Sequence, residues 1–170
     1  MRTLEGENMK KIKDLLDHIF IDGLSGMAQG LFATLIIGTI IQQIGTLIGG
    51  PRGDMIFAVG KVAAALTGAG IGVGVAAKFK ESYLVVVSAA TAGMVGAFAS
   101  KLLAGTVLVD GTMVFAGPGE PLGAFLAAYI GIECGHLVAG KTKVDILVTP
   151  IVTIGTGSSV GLLVGPGVSR

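Results

Sequence analysis

The sequence predicts an all-α fold: a polytopic transmembrane helix bundle of about five spans, preceded by an amphipathic interfacial helix and interrupted by one broken segment that is either re-entrant or an external loop. Three observations predict it. The run Gly23–Pro51 contains no Asp, Glu, Lys or Arg. As helix it would reach roughly 43 Å at about 1.5 Å per residue, more than the roughly 30 Å of a bilayer core. Only 14% of the 170 residues are charged and 52% are hydrophobic, with a mean hydropathy of +0.83, whereas a soluble domain carries about 25% charge. The chain also has 29 glycines, and in so apolar a sequence these fit close helix packing in lipid rather than disorder, which requires low hydrophobicity. A net charge of +1 argues against a nucleic-acid binder, which needs a basic face. The single cysteine, Cys134, leaves no intrachain disulfide framework.

Residues 1–8 are polar and read as a disordered or tag-like lead. In the segment 9–22, Met9, Ile12, Leu15, Leu16, Ile19 and Phe20 fall at spacings of three and four, opposite Lys10, Lys11, Lys13, Asp14 and Asp17. That pattern is an amphipathic helix lying on a membrane surface. Its mixed charge and length do not suit a cleaved signal peptide. The transmembrane domain covers 23–168. Its first span is predicted at 24–48, ended by the turn residues Gly49-Gly50-Pro51-Arg52-Gly53-Asp54. The second is 55–77, closed by Lys78, Lys80 and Glu81, and the third is 82–103. Ala104–Glu120 is mixed and Gly-rich. Pro121, suited to a first helical turn, opens the fourth span at 121–139. After the basic loop Gly140–Asp145 comes the fifth, 146–164, interrupted by Pro150 and a Gly/Ser-rich patch at Gly155–Ser159.

Lysine and arginine set the orientation. With a cytoplasmic N-terminus, Arg2, Lys10, Lys11, Lys13, Lys78, Lys80, Lys141 and Lys143 lie inside, against Arg52, Lys101 and Arg170 outside. Lys61 lies in the outer part of span two and can snorkel outward. An odd number of spans puts the two termini on opposite sides. Such a unit is what carriers with two inverted halves are built from, so the chain reads as half of a longer permease; a complete five-span protein is the alternative.

Four features could bear on function. Gly68, Gly70, Gly72 and Gly74 form two small-xxx-small pairs, Gly68/Gly72 and Gly70/Gly74, a helix-packing pattern. Glu133 and His136 are ionisable groups three residues apart in span four, where one helical face can carry both. Glu133 admits two readings, a carboxylate for sugar hydroxyls or protons and a solvated interfacial group, while His136 leans to the interface. The Gly117–Gly123 segment breaks the helix with two prolines and sets Glu120 at a helix N-terminus, where the dipole favours its charge. It reads either as a re-entrant tip or as an external loop. Thr149 and Thr153 beside Pro150 offer hydroxyls and a kink. No nucleophile–base set and no metal-ligand cluster is legible, so neither catalysis, a metal nor a cofactor is expected. The substrate-binding candidates are Glu120, Glu133, His136, Thr149 and Thr153.

The stretches GPGEPLGAFLAAYIGIE (117–133), GKTKVDILVTPIVT (140–153) and VGLLVGPGV (160–168) resemble bacterial membrane proteins of the phosphotransferase-system EIIC-like family, including its perfringolysin (toxin) regulator type. The resemblance covers most of Met9–Val168 but only the N-terminal half of a full member. It implies a multi-span permease component in the bacterial cytoplasmic membrane that binds a small polar solute, a sugar, and presents it to cytoplasmic EIIA and EIIB domains. The phosphorylated Cys or His belongs to those partners, so Cys134 is not that site. The expected setting is a lipid bilayer, a homo-oligomer and alternating access. A membrane sensor or regulator without transport, and a small-solute channel, are the competing readings.

Overall fold

A single helical rod opens the computed structural model, which describes residues 2–168, with side chains from 7 to 167. The rod comprises α1 (Arg2–Asp17), α2 (Leu24–Leu31) and α3 (Ile37–Ile48), joined without interruption by π-helical stretches at His18–Gly23 and Phe32–Ile36. The predicted surface helix and first span are thus one continuous helix. Residues 7–17 of α1 are exposed, so the apolar face formed by Met9, Ile12, Leu15 and Leu16 is not covered by the described residues.

The chain reverses at Gly49 and Gly50, with φ of 66° and 63°, a conformation open to glycine at no steric cost. α4 (Gly50–Ala65) therefore starts five residues ahead of the predicted second span, with Pro51 in its first turn. α5 (Thr67–Lys78) follows at a bend of 52°. There is no proline at this bend. Instead the Thr67 hydroxyl donates to the Ala64 carbonyl at 2.6 Å, and a hydroxyl inserted into the backbone ladder is a recognised cause of a kink.

α6 (Tyr83–Ala97) and α7 (Ala99–Leu103) are separated by a break at Phe98, and α8 (Pro121–Val138) and α9 (Asp145–Val168) complete the helices. Three helical segments are long and apolar enough to cross a bilayer alone: Glu7–Ile48, Pro121–Val138 and Asp145–Gly167. The bent α4–α5 pair passes the same test only when its two helices are taken together, as a broken span or a re-entrant loop, and α6 is a shorter apolar helix. Of the five predicted spans, 24–48, 121–139 and 146–164 coincide with the three long apolar helices. Between α7 and α8, residues 104–119 form a strap containing a hairpin, β1 (Leu108–Val109) with β2 (Thr112–Met113), turned by Asp110-Gly111 at positive φ. The strap is pinned down by Phe115 on Phe98 (4.9 Å between rings), by the Lys101 ammonium donating to the Ala116 carbonyl at 2.9 Å, and by the Glu120 N–H donating to the Ala97 carbonyl at 2.7 Å.

α5, α6, α8 and α9 form the body, with α6 packed against the other three and α2 laid on α5. Its core is built largely of small side chains, Ala76, Ala89, Ala97, Ala124 and Ala128 around Ile71, Val75, Val85, Phe98 and Ile132. Glycine permits the close approach. Gly68 and Gly72 face α6, where added Cβ atoms would strike Gly93, Ala97 and the Ala89 carbonyl. Gly70 and Gly74 face the first rod, against Gly30, Thr34 and Gly26. The two glycine pairs of α5 thus serve two different neighbours. α3 and α4 pack on each other as an arm, through Gly38 against Gly60 and Gly45 against Gly53, and make little contact with the body.

Candidate functional site

One end of the body gathers His18–Gly23, Lys78–Glu81 and the α8–α9 loop with Lys141 and Lys143; it is the basic end. The strap closes the other. At the basic end, Phe125, Tyr129 and Glu133 follow one another at intervals of four along α8, which places them on one face. Gly23 lets the first rod come close to that face: a Cβ there would lie 3.2 Å from the Phe125 ring. The π-helical turn carries His18 over the same face. Its imidazole stacks on Phe79, the cap residue of α5, at 3.9 Å between centroids, and its Nε2 lies 3.4 Å from a Glu133 carboxylate oxygen. Phe79 meets Tyr129 edge-on at 6.0 Å, and Tyr129 stacks with Phe125 at 6.1 Å. His18 Nδ1 lies 3.9 Å from Asp22.

The result is a carboxylate and an imidazole, each somewhat under half exposed (44% and 39%), set above an aromatic floor. A carboxylate accepts hydrogen bonds, an imidazole donates from one nitrogen and accepts at the other, and aromatic rings offer an apolar face beside these polar tips. The arrangement can hold a hydroxylated solute or relay a proton. Among the described residues no group of three His, Cys, Asp or Glu could hold a metal ion.

The residues singled out in the sequence are not brought together. Glu133 joins this cluster. His136 points elsewhere, to Glu81 at 2.9 Å, with His136 66% exposed and Glu81 only 10%. Glu120 is at the strap end, at the start of α8, about 20 Å of helix away from Glu133 at 1.5 Å per residue. Thr149 and Thr153 are fully buried. The Thr149 hydroxyl donates to Asp145 at 2.6 Å and that of Thr153 to the Thr149 carbonyl at 2.8 Å. Neither hydroxyl has a proton free for a solute, and Thr153 seats instead against Gly135 of α8. Sequence reasoning missed His18, Phe79 and Tyr129. The available signal was an imidazole and a ring at the very boundary between a charged segment and an apolar one.

Asp145 organises the start of α9, accepting from the Gly140 N–H at 2.8 Å as well as from Thr149. Asp145→Ala should lower stability by about 1–2 kcal/mol, through the lost acceptor and a buried hydroxyl left without one. Asp145→Asn, which keeps an acceptor oxygen, should cost less than half of that. Thermal unfolding of the three proteins in one detergent checks the order.

A family model described as Phosphotransferase system, EIIC matches residues 21–170. The chain belongs to that family. No curated protein and no solved structure matches it significantly. The match includes Glu133, Phe79, Phe125 and Tyr129, whereas α1 and His18 precede it. The apolar helices and the family together make this EIIC chain a membrane protein. EIIC domains are transport components rather than catalysts, and their partners are cytoplasmic EIIA and EIIB.

Proposed function

We propose that this EIIC chain supplies the solute-binding membrane unit of a sugar permease, taking the solute at the basic end through Glu133 and His18. The observation that carries the reading is the approach of these two side chains to 3.4 Å over Phe79 and Tyr129. Two separated segments converge there on the chemistry that a sugar needs: an acceptor, a donor and an apolar face. In this reading the basic end faces the cytoplasm of a bacterium, following the lysine bias, and α1 continues the first rod beyond the bilayer on that side. The solute is then delivered where EIIA and EIIB can phosphorylate it. Glu120 guards the opposite mouth, and alternating access comes from movement of the α3–α4 arm against the body. The arm's exposed apolar faces suit lipid or a second copy, so a homo-oligomer belongs to the same reading.

The test is uptake of a panel of radiolabelled sugars by cells carrying the intact protein with its phosphoryl-transfer partners. Glu133→Gln removes the charge and keeps the shape. It should lower uptake of the accepted sugar at least about tenfold, the range expected when a charge-assisted hydrogen bond is lost. His18→Ala should lower it less, and Glu120→Gln within about twofold. Full uptake in Glu133→Gln would remove the site assignment. Sugar binding without flux would favour the regulator, and passive flux without the partners the channel.

A further inference from the structure

Two grooves border the strap, at the opposite end of the body from the basic-end cluster. Beneath the strap, between α5 and α6, runs a groove of about 410 Å³ lined by Ala69, Thr91, Met94, Leu102, Met113 and Phe115 among others. A second groove of about 330 Å³ lies between α4 and the strap, from Lys61 and Ala65 to Val114, Phe115 and Gly117. Phe115 borders both, so the two grooves adjoin at its ring, one apolar along α6 and the other reaching the Lys61 ammonium. Lys61 is exposed. Among the described residues it has no acidic side chain within ion-pair distance; its ammonium sits 5.9 Å from the centre of the Phe57 ring. A second ammonium, Lys101, is bound to the Ala116 carbonyl on the same strap.

The depth of Lys61 fits a headgroup. Gly68 is level with Gly93 and Ala97, near the end of α6, which puts it about 20 Å from the basic end of that helix. Lys61 lies a further two turns along, roughly 10 Å of helix at 1.5 Å per residue and less than that in depth because of the 52° bend, which still carries it toward the far boundary of a hydrocarbon core roughly 30 Å thick. From there the apolar groove leads back into the core depth, along a face of α6 where Thr91 and Val87 are exposed.

We infer that these adjoining grooves bind one anionic phospholipid of the surrounding leaflet, its phosphate on Lys61 and an acyl chain under Phe115. The charge selects the occupant: an unpaired ammonium at the interface attracts a headgroup of net negative charge, whereas in a zwitterionic lipid the headgroup's own cation offsets the phosphate and repels the ammonium. A helix from a second copy of this chain would have to bring a carboxylate to the same point.

The experiment is native mass spectrometry of the intact protein equilibrated with equal amounts of phosphatidylglycerol and phosphatidylcholine. The wild type should retain one phosphatidylglycerol, enriched about tenfold over phosphatidylcholine. Lys61→Gln should bring the ratio to within twofold of the bulk mixture, and Lys61→Arg should keep the enrichment. Thr91→Phe, placed in the exposed wall of the groove, should lower retention of both lipids. Equal retention of the two lipids by the wild type, no retained lipid, or an enrichment unchanged in Lys61→Gln would each overturn the inference. A dimer that persists without lipid and is lost in Lys61→Gln would assign the grooves to a second copy and overturn the inference equally.

Discussion

Replacing Gly72 by valine is expected to abolish recovery of the folded protein. A Cβ at this position would collide with the Ala89 carbonyl of α6 and crowd the backbone nitrogen of Ala90 at 3.1 Å. Both are main-chain atoms in the middle of a helix, so neither can rotate aside. α5 would have to move away from α6, losing the Gly68 contact with Gly93 one turn earlier and opening the buried layer of Ile71, Val75, Val85 and Ala89. In lipid there is no hydrophobic force between helices to compensate, because packing itself holds them together. Overpacking alone costs about 1–3 kcal/mol, and two further methyl groups at a backbone contact put this case at or above that range. Gly70→Ala should be milder. Its nearest neighbour is the Thr34 methyl, at 2.6 Å, which a rotamer change can move. Gly155→Ala meets nothing within 4 Å and should be neutral or stabilise by up to about 1 kcal/mol. Size-exclusion recovery and thermal unfolding of the four proteins in one detergent give the ranking. A folded Gly72→Val protein of normal stability would show that the α5–α6 approach is not needed.

The contrast among these glycines also marks what was legible in the sequence. A spacing of four flags residues for close packing, and Gly68 to Gly74 were visible on that ground. Which neighbour each pair serves was not, because that depends on how α5 sits between α6 and the first rod. Helix starts set by chemistry were equally readable, as with Pro121. The start of α4 was not, since Gly49 and Gly50 can reverse the chain by themselves and leave Pro51 to the helix. The bend at Leu66 depends on one threonine hydroxyl, and threonine in an apolar helix usually gives no such sign. For the site, Glu133 stood out as a charge in an apolar run, but so did Glu120, and the two lie at opposite ends of α8. Sequence reports that a carboxylate is there; only the packing reports its depth and company. His18 was hidden among the charges of a segment read as a surface helix, far in sequence from the Glu133 it approaches.

Tethering the α3–α4 arm to the strap is expected to stop solute uptake, and cutting the tether should restore it. The arm joins the body through two helix defects at the same level. The first rod is π-helical over Phe32–Ile36, and the partner helix breaks at Leu66, where the Thr34 and Thr67 hydroxyls meet at 3.4 Å. π-helical turns cluster at functional sites, and element ends that absorb backbone change are what hinges consist of. Beyond this level the arm touches little but itself, so rotation would break few contacts. The groove between Val62, more than one turn from the bend, and Ala116 is where such a rotation would change a distance. Cysteines at these two positions, in a Cys134→Ser background, can be bridged by a short cleavable thiol reagent. The bridged protein should transport at least about tenfold less than either single-cysteine protein treated alike, the ordinary scale for blocking a required conformational step. Reduction should return uptake to the untreated level, which separates a locked arm from a damaged fold. If the bridged protein transports at the normal rate, the arm is static, the bend at Leu66 is a fixed feature of the fold, and solute access has to come from movement within the body.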